Sequence, residues 1–307
     1  MNQAAATSSA IAQFEIDYAR ARRRARLVQF VSGAVFLVVF FVFASMGGFF
    51  DTTAVSMPNG DRVEMWKIWA GLPRLGEYLA KTIPDLHWET LGADIGEWFW
   101  RWKVWLQLLI ETILIAYIAT LLGVAGGFLL SFPASRNLSP NRWLLIFTRR
   151  YLEIIRTVPE LVWALIFVFC FGVGPLAGAL AIGLHATGSL GKLYSEANEN
   201  IDMRPVEGVR ASGGTWFQQM RYGVVPQVIP NVLSYTLLRF EINVRSSTII
   251  GFVGAGGLGQ EIRTAMSLQE YTDLSALFVI ILATVVVIDY VSEKIRHRVI
   301  GIDQRSN

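Results

Sequence analysis

The sequence predicts an all-α integral membrane protein with about six transmembrane helices. Of its 307 residues, 53% are hydrophobic and 17% are charged, and the mean hydropathy is +0.43. Soluble proteins carry roughly 25% charged residues, so this balance favours a chain that lies largely in lipid. Apolar stretches of helical length recur along the chain, and about 20 such residues cross a bilayer core of about 30 Å.

The predicted spans are distributed over most of the chain. They are 27–46, 103–132, a part of 141–172, a part of 175–194, about 227–250 and about 274–291. The first follows the basic run RARRRAR, as a secretory signal would. Its apolar core is too long for a signal and no clear cleavage site follows, so we expect an uncleaved helix.

The third span is longer than one upright crossing requires. As a continuous helix, 141–172 would measure about 46 Å. Its charged first part is expected near the cytoplasm, with opposite charges of Arg149, Arg150, Glu153, Arg156 and Glu160 on one helix face. Pro159 is expected to mark a kink.

The distribution of Lys and Arg predicts that both termini lie in the cytoplasm. In that orientation the inner segments hold 17 basic residues and the outer segments hold 6, as the positive-inside rule requires. The predicted organisation follows from this count. It comprises a basic cytoplasmic tail (1–26), a first transmembrane helix (27–46), an extracytoplasmic segment with amphipathic helices (47–102), a transmembrane domain (103–294) and a cytoplasmic tail (295–307).

The outer segment carries two further signals. The stretch WKIWAGLPRLGEYLAK predicts a short surface helix, and EWFWRWKVW at positions 97–105 is typical of an interfacial tryptophan belt.

A glycine motif raises the possibility of a dehydrogenase. In TIIGFVGAGGLGQEI, at positions 248–262, Gly254, Gly256 and Gly259 match G-x-G-x-x-G, the fingerprint of a dinucleotide-binding turn. That turn needs a strand before it, whereas here a helix-length span precedes the glycines. They indicate instead either a plain tight turn or a gate, where irregular backbone lines a watery cavity.

Other signals of chemistry in the chain are weak. ATGSLGKL at 186–193 resembles a phosphate-binding loop, but Ala186 and Leu193 replace the glycine and the hydroxyl residue that such a loop needs. Any ATP would therefore be bound by another subunit. The single cysteine, Cys170, allows no disulfide framework within the chain. Three widely separated histidines lack metal-ligand spacing, so we expect no metal site and no enzymatic constellation.

The loop between the fourth and fifth spans carries the most specific motif. In VEGVRASGGTWFQQMRYGVVPQ, Glu207, Gly213 and Pro226 have the spacing of E-A-A, three residues, G, nine residues, I-x-L-P. This resembles the EAA loop of ABC-transporter permeases, from which Gly208, Val209, Gly223 and Val225 depart. Locally, Pro205 near a helix start and Gly213 at its end predict a short helix over 205–212. A second helix is expected over 216–222.

The resemblance extends over roughly residues 105–295. RTVPEL, EINVRSS and GFVGAGGLG together are similar to the phosphonate branch of the ABC importers. The resemblance implies a type I ABC importer permease fold, a homodimer with the pore between two copies, and a bacterial inner-membrane location. It also implies ABC ATPase subunits that bind ATP and Mg²⁺, a periplasmic or lipid-anchored phosphonate-binding protein, no cofactor in this chain and no nucleic-acid partner.

Two sets of site residues follow from the resemblance and from the polar residues of the fifth span. The coupling loop 196–226 is expected to contact the ATPase through Glu207, Gly208, Arg210, Ala211, Gly213 and Pro226. We expect the translocation path to be lined by Asn243, Arg245, Ser246, Ser247, Gly254, Gly256 and Gly257, because polar groups in a span face a cavity or each other by default. Alternatively, Glu241 and Arg245 form a structural ion pair along one helix.

Three other functions stay open at this stage. One is an importer permease of the same architecture for phosphite, phosphate or methionine. The second is a secondary transporter or channel, which would give the 207–226 pattern no role. The third is a membrane oxidoreductase that uses the glycines at 254–259.

Overall fold

A computed structural model describes residues 2–56 and 62–303, and the chain divides into two compact units, 1–80 and 81–307. The first unit contains α1 (Asn2–Met46), β1 (Thr52–Ser56), β2 (Arg62–Trp66) and α2 (Lys67–Thr82), whose last two residues belong to the second unit. Helix α1 includes the predicted span 27–46 and continues through most of the predicted tail. The apolar side chains of that span are exposed, as lipid contact requires.

After α1, the first unit contains a hairpin that the sequence patterns do not predict. Strands β1 and β2 pair antiparallel, with Thr52 opposite Trp66 and Val55 opposite Val63. The β-branched residues of TTAVS and the Val of RVEMW suit a strand. The predicted helix is present as α2, and its place at the membrane surface stays a prediction.

The second unit is a helical bundle. Its helices are α3 (Leu91–Trp98), α4 (Trp102–Ala134), α5 (Arg142–Thr157), α6 (Glu160–Phe171), α7 (Pro175–Glu199), α8 (Arg204–Ala211), α9 (Trp216–Gln218), α10 (Val225–Gly251), α11 (Leu258–Leu268) and α12 (Tyr271–Asp303). A π-helical segment, Gln219–Val224, joins α9 to α10 without a break.

Helices α4 and α7 form the centre of this bundle because small residues let their backbones approach. A Cβ on Gly123 would lie 2.5 Å from the Cβ of Ala186, and one on Gly127 would lie 2.9 Å from the backbone nitrogen of Gly191. Such small-residue contacts are how helices associate in lipid, where the hydrophobic effect gives no drive.

Helices α5 and α6 are bent by 86° at their junction. The break lies at Val158 and Pro159, between the last residue of α5 and the first of α6. The predicted kink at Pro159 is confirmed, since proline lacks the N–H that would continue the ladder.

The all-α membrane architecture is confirmed, although its helices differ in character. In the described chain, residues 20–46 of α1, helix α4 and residues 271–298 of α12 are each long and apolar enough to cross a membrane, and the bent pair α5–α6 adds a fourth if counted as one span. Helices α7 and α10 have 25 and 27 residues. They are rich in small and polar residues, many of them buried against other helices, so their place among six spans stays a prediction.

The tryptophan stretch differs in part from the predicted interfacial belt. Trp105 is fully buried with Leu258 and Leu274, in a cluster at the start of α4, α11 and α12. Trp98 donates from its indole nitrogen to the Ser275 hydroxyl at 2.9 Å, and Trp100 donates to Asp273 at 3.1 Å. These contacts attach α3 and the turn after it to the first turn of α12.

Candidate functional site

Helix α8 is fixed to the bundle by one side and exposed on the other. Val206 is 1% exposed and packs in a core cluster with Phe132, Tyr194 and Val224. The predicted contact residues of this helix and its C-terminus are all exposed: Glu207, Gly208, Arg210, Ala211 and Gly213. In the single protomer, the outward face of this short helix is exposed and is therefore accessible to another protein.

The ends of α8 are built as the sequence predicts. Pro205 lies in the first turn, where its missing N–H costs nothing. Gly213 has φ +83° and donates to the Arg210 carbonyl at 3.0 Å, and Gly214 donates to the Val209 carbonyl at 3.0 Å. Glycine at this left-handed position ends the helix sharply.

The segment after α8 is continuous with the next span. Thr215 and Gln218 form a capping box at α9, and the chain then runs through the π-helical segment into α10, where Pro226 lies in the first turn. The predicted second helix therefore does not end at residue 222. Because no break separates it from α10, a displacement of this segment would be carried directly into that span.

Gly223 explains one departure from the permease pattern. A Cβ at this position would lie 2.9 Å from the Cα of Val206, so only glycine lets α8 approach the π-helical segment this closely. The Trp216 indole nitrogen donates to the Leu138 carbonyl at 2.9 Å, and Gln227 donates to the Asp202 carbonyl at 3.0 Å. The first contact attaches the loop to the connection between α4 and α5, and the second attaches it to the first turn of α10.

The glycine turn at 251–259 joins two helices, α10 and α11, so the rejection of a dinucleotide fingerprint is confirmed. Gly254, Gly256 and Gly257 have φ of +97°, +83° and +70°, a region that costs other residues strain. A Cβ on Gly259 would lie 2.0 Å from the Thr248 carbonyl oxygen. The glycines therefore allow a positive-φ turn and a close crossing of the end of α10 with the start of α11.

Two side chains of α4 hold this turn. The backbone N–H of Gly257 donates to the Glu111 carboxylate at 3.2 Å, and that of Leu258 donates to the Thr112 hydroxyl at 2.8 Å. These N–H groups stand at the N-terminus of α11, where an anionic acceptor is favourable. Glu111 of α4 therefore bonds a neighbouring element through its carboxylate.

The predicted path residues of α10 face different neighbours. Buried Asn243 donates to the Thr120 hydroxyl at 2.8 Å, and Ser247 donates to the Thr112 carbonyl at 3.1 Å. Thr112 therefore contacts both Ser247 and the glycine turn, so the structure brings these two predicted parts of the path close together. Arg245 points elsewhere, and one of its nitrogens contacts both carboxylate oxygens of Asp289 in α12 at 2.7 and 2.6 Å.

The predicted ion pair between Glu241 and Arg245 is wrong. Glu241 accepts from Arg296 at 2.7 Å, and Arg245 pairs with Asp289. Both partners belong to α12, which packs along α10 and places Arg296 beside Glu241 and Asp289 beside Arg245. An interhelical pair replaces the i,i+4 pair because each charge finds a partner across the interface.

A buried charge cluster around Arg239 is absent from the predicted sites. Arg239 is 9% exposed, and its Nε and Nη2 atoms have no hydrogen-bond partner within the described chain. Glu160 accepts from the Ser246 hydroxyl at 2.5 Å and lies 3.6 Å from His185 Nε2. The signal was available, since ionisable residues at 160, 185 and 239 each lie in a predicted span. Glu160 does not share the charged face of α5, because it is the first residue of α6 and the 86° bend turns that helix away.

The bundle has the fold of an importer permease, the membrane-embedded subunit of an ABC transporter. An inward-facing structure of the MetNI methionine ABC transporter is similar with a TM-score of 0.57 and 19% sequence identity, over 65% of this chain and 97% of that one. At that identity the likeness shows the fold alone.

Sequence comparison defines the family. The model for "Binding-protein-dependent transport system inner membrane component" matches residues 123–298. The phosphite transport system permease protein PtxC of Stutzerimonas stutzeri is 37% identical over 215 residues, 70% of this chain and 77% of the relative. The putative cryptic phosphonate transport system permease protein PhnE2 of Escherichia coli K12 is 47% identical over 117 residues, 38% of this chain and 96% of the relative.

The chain belongs to the family of binding-protein-dependent transport system inner membrane components. It is a permease subunit of an ABC importer and a transport component, not an enzyme. Permeases of this family work with an ATPase and a substrate-binding protein.

Proposed function

We propose that the chain is the permease of an ATP-driven importer for phosphonates, with phosphite and phosphate as related substrates. Two copies form the pore, since a twofold pair is the usual closed solution for one six-helix unit. Both termini lie in the cytoplasm of a bacterial cell with the chain in its inner membrane. The chain itself carries no cofactor, and ATP and Mg²⁺ belong to the ATPase.

The observation that carries the proposal is that α8 is exposed on one face and attached on the other to the segment that continues into α10. An ATPase subunit docks on Glu207, Gly208, Arg210, Ala211 and Gly213, and its motion reaches α10 through the continuous segment that contains Pro226. Val206 and Gly223 make the connection stiff, because their close contact leaves no space for α8 to move independently. A free channel would have no use for this linkage.

The substrate class rests on the printed names of the relatives, which describe phosphite and phosphonate transport. A tetrahedral oxyanion suits Arg forks and hydroxyl donors. The path runs past Asn243, Arg245, Ser246 and Ser247, with Gly254, Gly256 and Gly257 forming a gate that Glu111 holds closed through Gly257. A periplasmic or lipid-anchored phosphonate-binding protein delivers the anion to the outer side.

Reconstitution tests the coupling. The chain is placed in proteoliposomes with the ATPase and binding protein that copurify with it from native membranes, and uptake of labelled methylphosphonate is followed. We expect ATP-dependent uptake only with all three components, with competition by phosphite and phosphate but not by methionine. Uptake that persists without the ATPase would indicate a secondary transporter.

A matched pair of variants tests the docking face. Glu207→Ala removes an exposed carboxylate of α8, and we expect loss of ATPase copurification and of uptake. Glu293→Ala removes an exposed carboxylate of α12 and should leave both unchanged. Equal behaviour of the two variants would refute the assignment of α8 as the docking helix.

A further inference from the structure

A cavity at the end of the bundle near α8 is lined mostly by charged side chains. It has a volume of ≈ 320 Å³ and lies between the end of α4, the helix α5 and the C-terminal half of α7. That size is at the lower end of the range of about 300–1,000 Å³ for small-molecule sites, so a phosphate-type anion fits inside it with room to spare. It lies apart from the predicted path residues of α10, none of which lines it.

The charges around the cavity do not balance in pairs. Each of its three carboxylates already has a cationic partner. Glu199 contacts Arg149, and Glu196 lies 3.6 Å from Lys192. Glu153 contacts Arg150, which does not line the cavity, at 2.5 Å. The side chains of two further lining cations, Arg136 and Arg156, have no carboxylate partner within the described residues, and the Arg136 backbone N–H donates to Glu199 at 2.7 Å. The cavity therefore holds an excess of positive charge.

Arg156 is the member of this set that is built into the wall. Its Nε is buried and lacks a hydrogen-bond partner among the described residues. Its backbone packs against α7 so closely that a Cβ on Gly188 would lie 2.9 Å from the Arg156 nitrogen. A buried guanidinium N–H without an acceptor is costly to a fold unless a ligand accepts from it.

We propose that this cavity binds a phosphate-type oxyanion, with Arg156 as the anchoring cation and Arg136 and Lys192 around it. Arginine presents planar donors that match a phosphate edge, and lysine adds a point charge. The anion is either free inorganic phosphate or the phosphate of an anionic lipid headgroup, since both offer the same oxygens. Occupancy would tie the end of α4 to α5 and α7 beside the base of α8.

The test uses the full chain alone, in nanodiscs of phosphatidylcholine, with inorganic phosphate as the probe. Thermal unfolding and titration calorimetry should show saturable binding and a rise in Tm with phosphate, since a ligand of the folded state stabilises it. A second set of nanodiscs contains phosphatidylglycerol in place of added phosphate. A Tm rise in the first set identifies the free anion, and a rise in the second alone identifies the lipid headgroup.

Arg156→Gln should weaken the binding about tenfold or more. The control Arg142→Gln changes an exposed arginine of the same helix that does not line the cavity, and it should keep the wild-type affinity. Arg156→Lys keeps the charge and should retain part of the binding, which separates anion recognition from a folding defect. The proposal is overturned if the wild type responds to neither probe, or if Arg156→Gln binds as the wild type does.

The outcome is independent of the proposed transport function. The binding measurement needs neither ATPase nor binding protein, whereas the uptake assay needs both. A cavity that fails to bind phosphate would leave the uptake result as it stands, and a failed uptake assay would leave the binding result as it stands.

Discussion

Arg245 of α10 and Asp289 of α12 form an interhelical ion pair in which one guanidinium nitrogen contacts both carboxylate oxygens. The two side chains are 48% and 41% exposed in the protomer, so the pair borders open space and is not sealed in the bundle. Arg245 can therefore serve as a helix clamp, as a contact for a passing anion, or as both. The two roles predict different anion uptake for a variant in which the charges of Arg245 and Asp289 are exchanged.

A charge reversal distinguishes these roles. Arg245→Ala should abolish anion uptake while assembly with the ATPase persists, because a pair this exposed contributes only about 0–1 kcal/mol to stability. Asp289→Asn should retain uptake, since it leaves the cation in place. The double variant Arg245→Asp with Asp289→Arg restores the pair, and we expect it to assemble and still fail in uptake. Restored uptake in the double variant would show that Arg245 acts only as a clamp.

The contact between α8 and the π-helical segment predicts a second effect. Gly223→Ala would place a methyl group 2.9 Å from the Val206 Cα and push α8 away, an overpacking cost of about 1–3 kcal/mol. We expect reduced ATPase-driven uptake together with a lower Tm. Gly76→Ala, inside α2 and away from the docking face, meets nothing within 4 Å of a Cβ and should be neutral or stabilise α2 by roughly 0.5–1 kcal/mol. The prediction is contradicted if both alanines leave coupled uptake and Tm alike.

The glycine crossing at the other end of α10 gives a third prediction. Gly259→Ala would bring a Cβ to 2.0 Å from the Thr248 carbonyl oxygen, so the end of α10 and the start of α11 must separate. We expect a stability loss of at least about 1–3 kcal/mol and loss of uptake, measured by thermal unfolding and transport. Gly96→Ala in α3 meets nothing within 4 Å and controls for the substitution itself. Wild-type Tm in Gly259→Ala would show that this crossing is not required.

Local signals in the sequence predicted the elements that depend on local physics. Pro205 and Gly213 set the ends of α8, Pro159 set the bend, and the positive φ of the turn at 254–257 follows from glycine itself. The polar and apolar patterning of 66–81 likewise gave α2. These features depend on a residue and its near neighbours, so a single sequence contains the information.

Features that depend on packing between distant segments were harder to predict. The i,i+4 rule gave Glu241 and Arg245 as a pair, but the register of α12 against α10 decides their partners, and nothing local encodes that register. In the sequence, Gly223 is only a departure from the permease motif. The fold shows its reason, because Gly223 lies against Val206. The Arg239 cluster combines residues from three helices, and only their arrangement shows that its donors lack acceptors.

The loop before α3 gives a prediction that concerns pH. The backbone N–H of His87 donates to the Asp94 carboxylate at 2.8 Å, and this hydrogen bond lowers the pKa of Asp94 below its ordinary value of 3.8, with a smaller contribution from the Thr90 hydroxyl. Because the folded-state pKa is depressed, the contribution of this group to local order is present above the ordinary Asp pKa. It is lost as the pH falls through the lower folded value.

Hydrogen exchange measures this effect directly. The His87 amide should be protected in the native chain at neutral pH, and its protection factor should decline as the pH drops below about 4. Asp94→Asn should reduce the protection at neutral pH, because an amide oxygen accepts more weakly than a carboxylate. Asp85→Asn changes an exposed carboxylate two residues before His87 and should leave the His87 amide unaffected. A His87 protection factor that is the same in both variants and flat with pH would show that the Asp94 contact does not order this loop.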